Sequence, residues 1–208
     1  MNKIKKYFFL FLLIFSCSGC ANFNAISASA FPTAIDNQWL VNFWQPFILS
    51  SEVNFKDANQ YIGPDTYIMN SSFAAYQPSS RTIFINKKDF TTIFDFSENE
   101  ISQDEKNALF TSLMIHEKSH AFIVDNRNRE KNHHFEDEYG AYVAQFAWLE
   151  KFHPQLLKKI LDKHRQSFDD EVIYDWLMFN PHGFAAACWR FYKKSNHQQM
   201  LLIYHKSP

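Results

Sequence analysis

The sequence predicts an α+β domain that is mostly helical, with a small antiparallel sheet ahead of its longest helix. Turn-forming residues at Gln77–Ser80 precede the β-branched run Arg81–Asn86, which is typical of a strand. Apolar residues then recur at helical spacing from about Ser102 to about Val124. This order of sheet and helices predicts the fold class.

The elements at the start of the domain have their own signals. Asp36 can cap a helix through Trp44, and Pro46 bends or ends that helix. Tyr67–Met69 is a second strand candidate. Ser102 and Glu105 form a capping box that starts the long helix.

The second half of the chain is predicted to be helical. The expected helices run over about Phe135–Phe152, over Gln155–Gln166 with Pro154 as first residue, from Asp169 or Asp170 through Trp176 and Met178, and over about Gly183–Lys194. The Asn180-Pro181 pair separates the last two.

The composition allows one hydrophobic core and argues against nucleic acid as a partner. Apolar residues make up 46% of the 208 residues and aromatic residues 18%. Three of the 21 basic residues lie within residues 1–19, so the remainder carries 18 basic against 22 acidic residues. Phosphate binding requires a basic face, which this balance does not provide.

Residues 1–19 have the layout of a secretory signal peptide. Three lysines precede the apolar run Tyr7–Phe15, which is shorter than the roughly 20 residues that span a bilayer as a helix. The next residues, Ser18-Gly19-Cys20, resemble a bacterial lipobox, in which small residues precede a lipidated cysteine. Cys17 stands where that motif usually has Leu. Lipidation at Cys17, ordinary secretion and an uncleaved anchor are the alternatives.

The lipobox resemblance implies three segments. These are a signal peptide over residues 1–19, lipidated Cys20 with a flexible tether over residues 20–35, and a single domain over residues 36–208. It also implies attachment to the lipid bilayer of a bacterial cell envelope, at the outer membrane or the periplasmic face in a Gram-negative cell. Cys188, in an apolar helical stretch, is predicted to be a buried small residue and not a nucleophile.

A metal-site motif lies inside the longest predicted helix, where residues 116–120 read His-Glu-Lys-Ser-His and match H-E-x-x-H. Residues i and i+4 share a helix face, so His116 and His120 can reach one ion. Zinc suits two neutral imidazoles and one carboxylate, with a position left for water. Glu117 lies beside the metal, where it can take a proton from a zinc-bound water. The alternative is a chance match on two exposed histidines.

The third ligand has to come from another segment. The extended motif H-E-x-x-H-x-x-G-x-x-H would need Gly at 123 and His at 126, but the chain has Ile123 and Asn126. A glutamate-bearing helix follows, with Glu138 and Glu136 lying 17 and 15 residues beyond the motif. Here the sequence resembles the gluzincin superfamily of zinc peptidases, over about Arg81–Phe152.

This resemblance implies Glu138 as the ligand, with Glu136 as the alternative, because Ala141 completes an E-x-x-A pattern found in several gluzincins. The lesser alternatives are His133, His134 and Asp137. Tyr142 departs from the family, which often has there an Asp that holds a metal-binding imidazole.

The resemblance also implies residues around the substrate. Zincins commonly place an edge strand above the metal helix, and Arg81–Asn86 is the candidate for pairing with an extended peptide. An ordinary core strand is the alternative. A downstream His or Tyr often stabilises the oxyanion, and His182 is the candidate, ahead of Tyr174 and Tyr192.

The sequence therefore predicts an envelope-anchored zinc metallopeptidase that acts on a protein or an envelope peptide. Zinc would be held by His116, His120 and Glu138, with Glu117 as general base. The alternatives are a non-catalytic zincin-like lipoprotein that acts as a binding module, an envelope lipoprotein without metal, and a secreted peptidase with Cys20 unmodified.

Overall fold

The computed structural model describes residues 37–48, 59–63, 74–86, 94–97, 99–126, 134–165, 177 and 179–205. All of them belong to one unit of the chain, Phe31–Pro208. The signal peptide, Cys20 and the tether predicted for residues 1–35 lie outside the described residues. In the part of the chain that is described, no helix has the length and apolar character needed to cross a membrane.

Helices dominate the described residues, with one small sheet between the first and second helix. The helices are α1 (Asn37–Trp44), α2 (Gln103–Asn126), α3 (His134–Phe152), α4 (Pro154–Lys163), α5 (Pro181–Lys194) and α6 (Gln198–His205). The strands are β1 (Asn59–Gly63), β2 (Ala74–Gln77) and β3 (Thr82–Asn86). The predicted fold class is confirmed.

The sheet has the order β1-β3-β2. Strand β2 pairs antiparallel with β3, with Ala74 opposite Ile85, and a tight turn joins the two strands. Strand β1 pairs parallel with β3, with Asn59 opposite Thr82, which the sequence did not predict. Since β3 has a neighbour on each side, the edge strand that the zincin resemblance implied for residues 81–86 is wrong, and the alternative, an ordinary strand inside the sheet, is confirmed. Among the described strands, β2 lies next to β3 at an edge of the sheet.

The start of α2 is fixed as its sequence predicts. The Ser102 N–H donates to the Glu105 carboxylate at 2.8 Å, and the Glu105 N–H donates to the Ser102 hydroxyl at 3.2 Å. The far end of α2 is tied to the sheet, because Arg81 donates to both carboxylate oxygens of Asp125, at 2.5 and 2.9 Å. Helix α2 is therefore held at both ends.

The hydrophobic core lies between the sheet and the helices. Helix α2 packs along α3, and α3 also packs against α5. Fully buried side chains at the centre include Ile83, Leu109, Phe122, Phe146 and Phe184. Cys188 is buried with them, as predicted. The metal motif therefore lies on a helix enclosed by core on several sides.

The remaining elements differ in part from the prediction. Helix α4 begins at Pro154 as predicted. The strand candidate Tyr67–Met69 lies outside the described residues, as does most of the helix predicted from Asp169 or Asp170. Helix α6 was not predicted, and its Met200 and Tyr204 are buried.

Candidate metal centre

His116 and His120 occupy adjacent turns on one face of α2 and turn their Nε2 atoms toward each other. The two Nε2 atoms are 3.1 Å apart. The histidine side chains are 6% and 16% exposed, so both rings are largely removed from water. The i, i+4 spacing thus brings two imidazoles to one point, as the motif predicts.

Glu138, in the first half of α3, completes this group. Its Oε2 lies 3.3 Å from His116 Nε2, and its Oε1 lies 3.4 Å from His120 Nε2. The three side chains come from two helices that run in opposite directions. Because α3 packs along α2, the carboxylate reaches the imidazoles from the facing helix.

This spacing fits a zinc ion. Donor atoms about 2.0–2.1 Å from a tetrahedral ion are separated from one another by roughly 3.3 Å. The three separations in the structure are 3.1, 3.3 and 3.4 Å. Two imidazole nitrogens with one carboxylate are also a common donor set of catalytic zinc sites. The residues present therefore fit zinc.

Each ionisable group at this site affects the pKa of its neighbours. Burial opposes ionisation of Glu138, but the two histidines hold its pKa below the ordinary value. Burial likewise opposes charge on His116, yet Glu138 raises the pKa of that imidazole. For His120, burial dominates and lowers the pKa to about 4. His120 is thus neutral at physiological pH, and His116 must release any proton before it can bind a metal.

Glu117 lies next to this group but is not part of it. The residue is 5% exposed. Burial raises its pKa to about 7. The charge of His116 acts to lower this pKa, the negative charge of Glu138 acts to raise it, and a hydrogen bond donated by the Tyr76 N–H acts to lower it. A carboxyl group that titrates near neutral pH suits a proton acceptor in catalysis.

Comparison with known proteins places the chain in one family. A family model matches residues 64–203, and its description is a family of unknown function (DUF6639). The chain belongs to this family. The matched region contains α2 and α3 and therefore His116, His120 and Glu138. No curated protein and no solved structure matches the chain.

In this DUF6639 chain, the other predicted ligands lie outside the group of three. Glu136 stands in the first turn of α3, where its carbonyl oxygen accepts a hydrogen bond from Tyr204 at 2.7 Å. His134 is more than half exposed, and its Nδ1 lies 3.9 Å from Glu138 Oε1, at the rim. Asp137 also lies in the first turn of α3. His133 lies outside the described residues.

Tyr142 lies one turn beyond Glu138, and its ring contacts the ring of the proposed ligand His116. The ring centroids of Tyr142 and His116 are 4.4 Å apart, with an edge-on orientation. Tyr142 also contacts Phe184 of α5 at 5.8 Å. Tyr142 therefore packs between His116 and the core, where gluzincins often have an Asp.

Lys118 and Ser119, the two residues between Glu117 and His120, anchor α2 to α1, a contact that no sequence pattern predicted. Lys118 Nζ donates to Asn37 Oδ1 at 2.7 Å, although the lysine is 2% exposed. Trp44 Nε1 donates to Ser119 Oγ at 3.3 Å. Helix α1 thus supports the side of α2 that faces away from the ligands.

His182 lies in a separate cluster. Its Nδ1 is 3.2 Å from Asp95 Oδ2, and its ring contacts Phe94 and His164 at 5.3 and 5.8 Å. His164 Nε2 is 3.3 Å from the Phe94 carbonyl oxygen and 4.0 Å from Asp95 Oδ2. Each of these two nitrogens faces an oxygen. The structure does not bring His182 to the three ligands, and its oxyanion role stays a prediction.

Of the weaker oxyanion candidates, Tyr174 lies outside the described residues. Tyr192 is buried and stacks on His197, with ring centroids 4.5 Å apart.

Proposed function

We propose that this chain is a zinc-dependent peptidase of the gluzincin kind, anchored in a bacterial cell envelope. The observation that most supports it is the convergence of His116, His120 and Glu138 within 3.4 Å of one another. The buried carboxyl group of Glu117 next to this group favours a catalytic site over a site that only binds metal.

Bound zinc would polarise the substrate carbonyl and lower the pKa of a water molecule. The chain contributes the proton acceptor. Glu117 has a raised pKa of about 7, and a cation beside it would favour the ionised form of this carboxyl. Glu117 can then accept a proton from the attacking water and deliver it to the leaving amine.

Strand β2 provides a place for the substrate in this proposal. Because the Tyr76 N–H donates to Glu117, the side of β2 that faces away from β3 lies beside the reacting groups. An extended peptide could add to this edge by main-chain hydrogen bonds. The substrate class is therefore a peptide bond in an extended segment of a protein or envelope peptide.

The Glu117→Gln variant tests the catalytic part of the proposal. New N-termini in envelope proteins would be mapped after expression of the wild-type chain, of Glu117→Gln and of a matched control, Glu136→Gln. We expect cleavage with the wild type and with Glu136→Gln, and none with Glu117→Gln, while all three retain zinc. If all three chains hold zinc but the wild type cleaves no envelope protein, the result would instead support the non-catalytic binding module.

The anchor is tested on the mature N-terminus. Intact mass should show cleavage before Cys20 with acyl chains on that cysteine, and Cys20→Ser should release the chain from the membrane. Cleavage with an unmodified Cys20 would contradict the anchor and leave the peptidase proposal in place.

A further inference from the structure

The ring of His116 has a second nitrogen that faces away from the ligand group. Its Nε2 is turned toward Glu138 and His120, so Nδ1 points into the packed interior between α2 and α3. Among the described residues, His116 Nδ1 is buried and has no partner at hydrogen-bond geometry. An imidazole that ligates through Nε2 carries its proton on Nδ1, and that N–H needs an acceptor.

Gln145 lies on the same face of α3 as Glu138, seven residues further along. It is 1% exposed, and its Oε1 is likewise buried and has no partner at hydrogen-bond geometry among the described residues. Two buried polar atoms, one donor and one acceptor, therefore face the same seam between the two helices. Leaving both atoms unpaired would be unfavourable, because a buried polar atom loses its water without gaining a partner.

The orientation of the Gln145 amide is fixed by its other end. Its Nε2 donates to Ser112 Oγ at 3.1 Å, and that hydroxyl donates its own hydrogen to the Leu109 carbonyl oxygen at 2.8 Å. Ser112 can therefore only accept from Gln145. The amide nitrogen must face Ser112, and Oε1 must face the other way.

His116 lies one turn beyond Ser112 on α2, which places its ring on that other side. Residues 112 and 116 stand four apart on one face of α2, so the Gln145 amide that Ser112 holds lies beside the His116 ring. The Oε1 atom of Gln145 and the Nδ1 atom of His116 are both buried there, each without a partner among the described residues. Since Nε2 of His116 is turned toward Glu138, the ring nitrogen that the Gln145 oxygen can reach is Nδ1.

We propose that Gln145 is the positioning residue of this site, which accepts the Nδ1–H of His116 and so aims Nε2 at the metal. The proposal rests on the proposed zinc site. It assigns to a neutral amide, held by Ser112, the task that an Asp at the place of Tyr142 often has in gluzincins. A neutral acceptor raises the basicity of the imidazole less than a carboxylate would.

Zinc affinity of the full-length chain, measured by competition with a chromophoric chelator near neutral pH, tests this assignment. Gln145→Met keeps the size of the side chain and removes the acceptor, so we expect zinc to bind about 10–100-fold more weakly. Gln145→Glu keeps the acceptor, and we expect an affinity equal to that of the wild type or higher.

A purely structural role makes a different prediction. It would shift the unfolding midpoint of both metal-free variants without separating their zinc affinities. The absorption of bound Co²⁺ adds a second readout, which should report a changed ligand geometry in Gln145→Met and a preserved one in Gln145→Glu.

Two results would overturn the assignment. If the wild type and folded Gln145→Met bind zinc equally well, the assignment of Gln145 is wrong, while the proposed metal site stands. If Gln145→Met does not fold, weak binding by folded Gln145→Glu would overturn the assignment. A wild-type chain without zinc would instead remove the proposed metal site itself, so the two failures are distinguishable.

Discussion

The main-chain N–H of Tyr76 donates a hydrogen bond to the carboxyl group of Glu117. This contact joins the edge strand β2 to the centre of helix α2. It relates the place where a peptide could lie to the group that would move a proton during its cleavage. The sheet therefore belongs to the proposed site and is not only part of the scaffold.

Burial of Glu117 should make the metal-free protein less stable at higher pH. The pKa of Glu117 is raised from 4.5 to about 7 on folding, so the folded state binds the proton more tightly than the unfolded state. The contribution of Glu117 to stability should fall as pH rises from 4.5 through about 7, whereas His120, with its pKa lowered to about 4, contributes in the opposite direction. Above that range, we expect Glu117→Gln to be more stable than the wild type by up to about 3 kcal/mol.

Urea unfolding of both chains in the presence of a chelator measures this difference. Glu136→Gln serves as the control and should show the pH dependence of the wild type. An advantage of Glu117→Gln that did not grow between pH 4.5 and about 7 would contradict the raised pKa of this residue.

Ser119→Ala should destabilise the protein without removing zinc. The substitution leaves the buried Trp44 Nε1 without its acceptor at 3.3 Å, which we expect to cost about 1–2 kcal/mol. Ser80→Ala, on the exposed turn, should change the free energy of unfolding by less than about 0.5 kcal/mol. Equal effects of the two substitutions in chemical unfolding would argue against the support of α2 by α1.

Gly140→Ala should destabilise the protein, although alanine usually favours a helix. A Cβ at this position would lie 2.7 Å from Trp44 Cη2 and closer still to the Tyr204 hydroxyl. We expect a loss of about 1–3 kcal/mol from overpacking. Adding Tyr204→Phe should recover part of that loss, because it removes the nearest atom. A more stable Gly140→Ala chain would show that α1 and α6 do not approach α3 this closely.

Zinc affinity should fall on acidification, because zinc and a proton compete for His116. Glu138 raises the pKa of His116 against the effect of burial, whereas burial lowers the pKa of His120 to about 4. The measurement is best made on Glu117→Gln, which removes the second group that titrates in this range. Below the pKa of His116, we expect the affinity to fall about tenfold per pH unit. An affinity that stayed constant in this range would contradict the proposed ligation by His116.

Local patterns in the sequence predicted the helices that carry the site. The i, i+4 spacing of His116 and His120, the capping box at Ser102 and the glutamate-bearing helix that follows all act over a few residues or between adjacent helices. These features predicted that Glu138 or Glu136 would reach the two imidazoles; the gluzincin resemblance favoured Glu138, which the structure places there.

Contacts between distant parts of the chain could not be read in the same way. Lys118 meets Asn37 across 81 positions, and Trp44 meets Ser119 across 75. The pairing order of the sheet is also a long-range property, so the sequence left open whether residues 81–86 form an edge strand, as the zincin resemblance implied, or the middle strand that the structure has. The spacing of apolar residues along the sequence predicts helices and strands but does not indicate which distant residues will be in contact.

Zinc content of the purified full-length chain tests the central claim most directly. The wild type would be compared with His120→Ala, Glu138→Gln and Glu136→Gln, each shown to be folded. We predict one zinc per chain in the wild type and in Glu136→Gln, and loss of zinc in His120→Ala and Glu138→Gln. A folded wild-type chain that takes up no zinc even after reconstitution would contradict the metal site and the peptidase proposed from it.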